Sequence, residues 1–184
     1  MSEVTDVLRR IIALLDGAGI PHMVAGSFAS ALYGTSRSTQ DIDLVIDPAP
    51  RSLDDFVASL PESDYYVSKE AAQDALQRRA LFNVVDMATG WKIDLIIRKA
   101  RPFSLEEFRR RSPARLFDVD IFVASLEDTI LTKLEWSAMS GSERQLRDVR
   151  GMLDVSGSSV DLEYVERWAA ELGVLDLWRQ VSLG

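Results

Sequence analysis

The sequence predicts an α+β protein in which a mixed β-sheet is flanked by helices and followed by a C-terminal helical bundle. Residues 3 to 16 carry apolar side chains at three- and four-residue spacing, which is typical of an amphipathic helix. Short apolar runs bounded by Gly, Pro and polar residues then alternate with helical patterns as far as residue 124. Only helical patterns follow. We therefore expect an α/β core over residues 1 to 124 and a helical subdomain over residues 125 to 184.

The individual elements follow from periodicity and from turn residues. Helices are predicted at residues 3 to 16, 28 to 33, 53 to 60, 69 to 79, 103 to 111, 126 to 139, 143 to 154, 160 to 172 and 174 to 182. Strands are predicted at residues 20 to 25, 41 to 47, 65 to 68, 81 to 87, 92 to 98 and 116 to 124. Gly90 indicates a hairpin between the strands on either side of it. Ser52 and Ser125 are the expected caps of the helices that follow them.

Composition excludes several classes of site. The 184 residues are 47% hydrophobic, which suffices for a substantial core. The absence of cysteine excludes disulfides and cysteine metal sites, and the single histidine, His22, excludes a centre of several histidines. With no signal-peptide pattern and no apolar run near ~18 residues, we expect a cytoplasmic protein that does not engage membranes. The net charge of −8 disfavours a general nucleic-acid-coating surface.

A pair of carboxylates gives the sequence its clearest chemical meaning. Asp41 and Asp43 begin an apolar run, and residues i and i+2 of a strand point to the same face, roughly 6.6 Å apart. Two like charges this close would be relieved by a cation, and Mg²⁺ is the usual partner of carboxylates that work with phosphates. The alternative is that Asp41 and Asp43 form the solvent face of an ordinary antiparallel strand.

Further candidates surround this pair. Gly26 and Ser27 mark a strand-to-helix turn whose backbone N–H groups, together with the Ser27 hydroxyl, suit a phosphate. Arg37, in the loop that follows, is a second candidate for phosphate contact. Asp94 begins another apolar strand. If that strand lay beside Asp43, at the ~4.8 Å spacing of neighbouring strands, Asp94 could reach the same cations. Otherwise it is a carboxylate at the edge of a strand.

Together these residues resemble the nucleotidyltransferase signature. The pattern Gly-Ser-x-Ala, then Gly-x-x-Arg-x-Thr-x-Asp-Ile-Asp, is present as residues 26 to 29 and 34 to 43. The resemblance is closest to the minimal bacterial nucleotidyltransferases of the DNA polymerase beta-like superfamily, including AbiEii/AbiGii-type toxins. It implies a nucleotidyltransferase-type mixed sheet, and two Mg²⁺ ions, with Mn²⁺ as an alternative, held by Asp41, Asp43 and Asp94.

The same resemblance extends into the helical part of the chain. It implies that Lys133, on the helix after Ser125, borders the nucleotide together with Arg147 and Asp148 of the next helix. The spacing between these helices is longer than the family pattern, and Arg144 competes with Arg147 for one role. An ordinary surface lysine is the alternative for Lys133.

The implied reaction moves a nucleoside monophosphate from a triphosphate such as ATP to a hydroxyl acceptor. By resemblance the acceptor is a tRNA end, a protein side chain or a small molecule such as an antibiotic, and the protein is a toxin–antitoxin component with a cognate partner protein. A non-catalytic nucleotide-binding or antitoxin-like module is the alternative. Residues 98 to 115 hold seven basic and two acidic residues. This segment favours an acceptor RNA or protein, although it could also bind the triphosphate or be a solvated helix face.

Overall fold

The computed structural model describes residues 3–35 and 39–182, which form nine α-helices, one short 3-10 helix and seven strands. The helices are α1 Glu3–Gly17, α2 Gly26–Leu32, α3 Pro50–Ser59, α4 Lys69–Arg78, α5 Pro102–Arg110, α6 Leu126–Ser140, α7 Glu143–Ser156, α8 Leu162–Glu171 and α9 Leu175–Ser182. The strands are β1 His22–Val24, β2 Asp41–Ile46, β3 Tyr65–Val67, β4 Leu81–Asp86, β5 Lys92–Ile97, β6 Ser112–Leu116 and β7 Val119–Val123. The 3-10 helix is Gly157–Ser159. The predicted α+β class is confirmed.

All seven strands belong to one mixed sheet with the order β3-β4-β5-β2-β1-β7-β6. Strand β2 is antiparallel to β1 and parallel to β5, and β1 is parallel to β7. The first residues of β2 and β5 therefore lie at the same end of the sheet as the last residues of β1 and β7. That end is where the candidate carboxylates are located.

The two faces of the sheet pack against different helices. Alternating residues of β2, among them Ile42 and Leu44, join the main core with the buried sides of α1, α3 and α4. On the opposite face, Val45 packs in a small cluster with Phe108 of α5. Because Asp41 and Asp43 have the same parity as Val45, they project from this second face.

The C-terminal helices form a separate hydrophobic core. Leu134, Val165 and Trp178 are buried within it, and Phe103 of α5 and Tyr33 beyond α2 also pack against it. The division of the chain at residue 124 stays a prediction. In the part of the chain that the structure describes, no helix combines the length and the apolar character that crossing a membrane requires.

Two local predictions were wrong. Helix α3 begins at Pro50 rather than after Ser52, because a proline at the first helical position already has the required φ. The strand predicted at residues 116 to 124 corresponds to β7 alone, because its first residue, Leu116, ends β6, an unpredicted strand that forms a hairpin with β7. The two-residue turn of this hairpin, Phe117-Asp118, has φ of 49° and 62°, and such turns usually contain glycine or asparagine.

Candidate active site

Four charged side chains occupy one face at the start of two neighbouring strands. Strands β2 and β5 pair in parallel, with Asp41 opposite Lys92 and Asp43 opposite Asp94. Because residues two apart share a face, all four side chains project to the same side of the sheet. The predicted adjacency of the strands that carry Asp43 and Asp94 is therefore confirmed.

A lysine lies between two of the carboxylates. The Lys92 ammonium is 3.6 Å from Oδ1 of Asp41 and 3.2 Å from Oδ2 of Asp94. Burial alone would lower the pKa of Lys92, but the hydrogen bonds and charges of Asp94 and Asp41 outweigh it and raise that pKa above its usual value. Lys92 thus remains a cation over the range in which these carboxylates are ionised.

The opposite oxygen of Asp94 has its own partner. Asn83 pairs with Asp94 across β4 and β5, and its side-chain amide donates to Oδ1 of Asp94. An amide cannot take up or release a proton at physiological pH, so Asn83 orients Asp94 without competing for a proton. Both oxygens of Asp94 are therefore fixed by neighbouring side chains.

Asp43 is held by the turn between β1 and α2. The backbone N–H of Ser27 donates to its carboxylate. Gly26 has a φ of 57°, and a Cβ on this residue would overlap the Asp43 carboxyl group. Glycine is therefore required for the backbone conformation and also for the close approach. Burial, and then the negative charge of Asp94, raise the pKa of Asp43.

The charge of Lys133 acts on Asp43 in the opposite direction. Lys133, on α6, lowers the pKa of Asp43 and so partly offsets burial. Its side chain is only 5% exposed, and its ammonium donates to Asp148 at 2.7 Å and to Gln145 at 3.1 Å, both on α7. Lys133 is thus a buried cation beside the carboxylates, and the alternative of an ordinary surface lysine is wrong.

The other residues that the sequence predicted for the nucleotide site do not all lie beside the carboxylates. Asp148 is buried against Lys133, whereas Arg147 is exposed, and none of the contacts described for residues 3–35 and 39–182 joins it to the carboxylates. Arg37 lies outside the described residues. Successive helical residues are separated by about 100°, which explains why Arg147 and Asp148 point in different directions.

Helix α6 is anchored at its N-terminus, which fixes the position of Lys133. The Ser125 hydroxyl accepts from the backbone N–H of Asp128, as predicted, and donates to the Asp128 carboxylate at 2.7 Å. Asp128 is fully buried and also receives hydrogen bonds from Arg110 and from Tyr164. This network ties α6 to α5 and α8, so the lysine is carried by a rigid element.

The basic segment at residues 98 to 115 is largely neutralised within the protein. Five of its seven basic side chains pair with carboxylates: Arg98 with Asp47, Arg101 with Glu135, Arg109 with Glu106, Arg110 with Glu127 and Asp128, and Arg115 with Asp118. Arg111 stacks over the Phe108 ring at 4.2 Å. The segment therefore offers a polyanion much less positive charge than its composition suggests.

Two residues of the cluster, Asn83 and Lys92, were not identified from sequence. Neither has a motif of its own, because their positions depend on the register of β4 and β5 against β2. The only available signal was parity: Lys92 precedes Asp94 by two residues and so shares its face. Gln145, which contacts Lys133, was missed for a similar reason, since it depends on how α6 and α7 pack.

The carboxylates suit a hard divalent cation. Asp41, Asp43 and Asp94 supply only oxygen donors, the type that Mg²⁺ prefers. Burial and then repulsion from Asp94 raise the pKa of Asp43, and a bound cation would relieve that repulsion. Within residues 3–35 and 39–182, no three His, Cys, Asp or Glu side chains are yet close enough together to hold a metal ion. The chemistry of the three carboxylates nevertheless fits a divalent cation. In the structure, one oxygen of Asp41 and one oxygen of Asp94 contact the Lys92 ammonium.

Comparisons with known proteins identify the fold. No protein-family model and no curated protein matches the sequence. Among solved structures, ANT(2")-Ia in complex with adenylyl-2"-tobramycin is 16% identical, with a TM-score of 0.61 over 94% of this chain and 98% of that one. The lincosamide antibiotic adenylyltransferase LnuA, lincomycin-bound, is 12% identical, with a TM-score of 0.57 over 84% and 98%.

A third solved structure extends the likeness beyond antibiotic adenylyltransferases. An antigenic nucleotidyltransferase-like protein from Paracoccidioides brasiliensis is 17% identical, with a TM-score of 0.57 over 98% of this chain and 92% of that one. These three matches span 84% to 98% of this chain and 92% to 98% of the other chains. The chain therefore has the nucleotidyltransferase fold.

Proposed function

We propose that this protein is a metal-dependent nucleotidyltransferase that moves a nucleoside monophosphate from a nucleoside triphosphate to a hydroxyl acceptor. The observation that carries the proposal is the register of β2 and β5, which places Asp43 opposite Asp94 with Asp41 on the same face. These carboxylates lie beside the Gly26-Ser27 turn and the buried cation of Lys133. The nucleotidyltransferase fold of the whole chain supports the same reaction.

Each residue of the site has a proposed role. Asp41, Asp43 and Asp94 would hold Mg²⁺, or Mn²⁺, which supplies activation of the attacking oxygen and neutralisation of developing charge. Asp94, whose Oδ1 accepts a hydrogen bond from Asn83, would also accept the proton of the acceptor hydroxyl. Lys133 provides positive charge beside Asp43, where the phosphates of the nucleotide would bind.

The outer candidates complete the nucleotide site in this proposal. Gly26 and Ser27 would contact the phosphates once the nucleotide is bound. Asp148 holds Lys133 in place. Arg37 and Arg147 stay predictions as residues that contact the nucleotide. ATP is the first nucleotide to test. AbiEii-type specificity, a toxin role with a cognate partner protein and a cytoplasmic location remain predictions.

For the acceptor we favour a small hydroxyl-bearing molecule over RNA or a protein. Five of the seven basic side chains in residues 98 to 115 are paired internally, and the chain as a whole carries −8. Such a surface attracts neutral or cationic molecules more readily than polyanions. Two enzymes of the same fold were solved with the antibiotic-derived compounds adenylyl-2"-tobramycin and lincomycin.

Transfer of a radioactive label tests both the reaction and the acceptor class. Each of the four α-labelled nucleoside triphosphates would be incubated with the protein and Mg²⁺ or Mn²⁺, in the presence of separate acceptor pools of aminoglycosides and lincosamides, total tRNA, and a protein lysate. We expect label in a small-molecule product. Label in tRNA or in a protein would identify the acceptor as a macromolecule while upholding the reaction.

Asp43→Ala is the critical variant. Because loss of a residue that orients a metal ligand costs 10- to 100-fold, loss of a ligand itself should lower transfer by at least about 100-fold. The fold should persist, since burial and the charge of Asp94 already oppose ionisation of Asp43. Asp120→Ala, an exposed aspartate of β7, is the matched control. Full transfer by Asp43→Ala would refute the proposal, and metal-dependent nucleotide binding without any transfer would favour a non-catalytic nucleotide-binding module.

A further inference from the structure

The charged face at the start of β2 and β5 contains its own cation. Asp41, Asp43 and Asp94 contribute three negative charges, and Lys92, on the same face, contributes one positive charge. The Lys92 ammonium contacts both Asp41 and Asp94, at 3.6 and 3.2 Å, and so connects carboxylates of the two strands. The ammonium thus lies where one cation contacts an oxygen of Asp41 and an oxygen of Asp94.

The partners of the carboxylates differ in how easily they can move. Ser27 binds Asp43 through its backbone, and Asn83, an exposed residue of β4, binds Oδ1 of Asp94 through a short side chain. Lys92 binds Oδ2 of Asp94 through a flexible four-carbon side chain that is 42% exposed. It can therefore turn toward solvent without any movement of the backbone, whereas the Ser27 donor is part of the backbone and the Asn83 side chain is much shorter than that of Lys92.

We propose that Lys92 is an internal counter-ion that holds Asp41 and Asp94 together in the metal-free protein and is displaced when a divalent cation binds. Lys92 thereby sets the affinity of the site for metal. This inference rests on the proposed function, because it assumes that the three carboxylates are the metal ligands.

Two physical arguments support displacement. Like charges on adjacent strands repel, and Lys92 is the cation in every ion pair of Asp41 and Asp94 that is described for residues 3–35 and 39–182. A divalent cation and the ammonium compete at Asp94 because Lys92 already contacts Oδ2 and two cations at one carboxylate repel each other, while Oδ1 accepts a hydrogen bond from Asn83. Binding of the metal must therefore offset the contacts that Lys92 loses. Partly exposed ion pairs are weak enough for this competition to be reversible.

Titration of the full chain with metal alone, without nucleotide, tests the inference. Mn²⁺ binding would be followed by electron paramagnetic resonance of the free ion, and Mg²⁺ binding by competition against Mn²⁺. We expect Lys92→Met to bind either ion about tenfold more tightly than the wild type, a factor that corresponds to the loss of two partly exposed ion pairs. The rise in melting temperature on adding Mg²⁺ should also be larger in Lys92→Met, because its metal-free form has lost a stabilising contact.

Three further variants make the test specific. Lys92→Arg keeps the charge and should bind metal no more tightly than the wild type. Lys69→Met removes an exposed lysine of α4, whose buried residues pack in the main core, and should leave metal affinity unchanged. Lys92→Gln removes the charge but supplies an amide donor to Asp94 in place of the ammonium. It replaces Lys92→Met in the titration if Lys92→Met does not fold without metal.

The outcomes separate this inference from the proposed function. Equal or weaker metal binding by Lys92→Met and Lys92→Gln, with metal binding and label transfer intact in the wild type, would overturn the role of Lys92 and leave the reaction standing. Absence of metal binding in the wild type and in every Lys92 variant would overturn both. Binding that appears only when Lys92 is removed would support the inference in its strongest form.

Discussion

The side chain of Lys133 combines a structural and a chemical role. Its ammonium is almost fully buried between α6 and α7, where it pairs with Asp148, and it also acts electrostatically on Asp43. A buried charge needs a partner of opposite sign, and the Lys133–Asp148 ion pair supplies one to each of the two residues. Any loss of activity on mutating Lys133 would therefore be ambiguous unless stability were measured as well.

A double substitution separates the two roles. Lys133→Met leaves the Asp148 carboxylate buried without its ammonium, and we expect the free energy of unfolding to fall by about 3–5 kcal/mol. Lys133→Met combined with Asp148→Leu removes both charges and should recover most of that loss. Urea denaturation gives the stabilities, and label transfer gives the activities. Because the positive charge beside Asp43 is missing in both variants, neither should transfer label efficiently.

Recovery of transfer in the double variant would contradict this assignment. It would show that Lys133 serves only to pack α6 against α7 and that the nucleotide does not use its charge. Recovery of stability without transfer is the expected result. Asp148→Leu alone should be unstable too, since it leaves the ammonium buried without the carboxylate at 2.7 Å.

Helix α6 carries Lys133, and its N-terminal cap is more deeply embedded than that of α4. Ser125 and Ser68 each accept a hydrogen bond from the third residue of the helix that follows. Ser68 is on an exposed helix end, whereas Ser125 also donates to the buried Asp128 carboxylate. Loss of a serine cap typically costs about 0.5–2 kcal/mol.

Paired alanine substitutions exploit this difference between the two helices. We expect Ser68→Ala to lower the free energy of unfolding by about 0.5–1 kcal/mol. Ser125→Ala should cost about 1 kcal/mol more, because a buried carboxylate loses one of its donors. Urea denaturation of both variants under identical conditions measures the difference. Equal losses would mean that Arg110 and Tyr164 satisfy Asp128 without help from Ser125.

Most of the order of the elements could be predicted from sequence because most of the strands and helices have a local signal. Strand β2 shows an apolar run after the Asp-x-Asp pair, and Gly90 correctly indicated the β4–β5 hairpin. The β6–β7 hairpin was missed because its turn has Phe117 and Asp118 where glycine or asparagine is usual. Local reasoning fails where a residue adopts an uncommon backbone conformation that tertiary packing stabilises.

Only part of the candidate site could be predicted from sequence, because the rest depends on how the strands pair. Asp41 and Asp43 share a face by periodicity alone, so their proximity could be predicted. That Asp94 lies opposite Asp43 needed the further assumption that β5 is next to β2, which the family resemblance supplied. Lys92 and Asn83 became visible only with the register of three strands, because a shift of one residue would turn both side chains to the other face.

At the scale of the whole molecule, most buried carboxylates of the helical part pair with an arginine or a lysine. The buried carboxyl group of Glu107, on α5, is in none of the ion pairs described for residues 3–35 and 39–182. It accepts a hydrogen bond from Thr132 of α6 at 3.0 Å, and burial, followed by repulsion from Asp128, raises its pKa to about 8. Its ordinary value is 4.5. At neutral pH the folded protein therefore keeps a proton on Glu107 that the unfolded chain releases.

This difference makes global stability depend on pH. Between the unfolded pKa of 4.5 and the folded value of about 8, the folded state binds more protons than the unfolded state, so the free energy of unfolding falls as pH rises. The contribution of one such group approaches 1.4 kcal/mol per pH unit within that window, an order-of-magnitude limit. Glu107→Gln keeps an acceptor for Thr132 and removes the ionisation. We expect the variant to gain stability relative to the wild type as pH rises from 5.5 toward the folded pKa of about 8, and the gain to level off above it, as measured by urea denaturation.

The neighbouring residue Glu106 provides the control, because its linkage has the opposite sign. Its hydrogen bonds from Arg109 lower its pKa, so its contribution to stability is present above 4.5 and is lost only as pH falls below that value. Glu106→Gln should therefore differ from the wild type by a constant amount between pH 5.5 and 8.5. If the wild type and Glu107→Gln also ran parallel over this range, Glu107 would be ionised in the folded protein, and the α5–α6 interface would have to supply a cation for it. Arg101, whose charge already acts on Glu107, would be the candidate for that role.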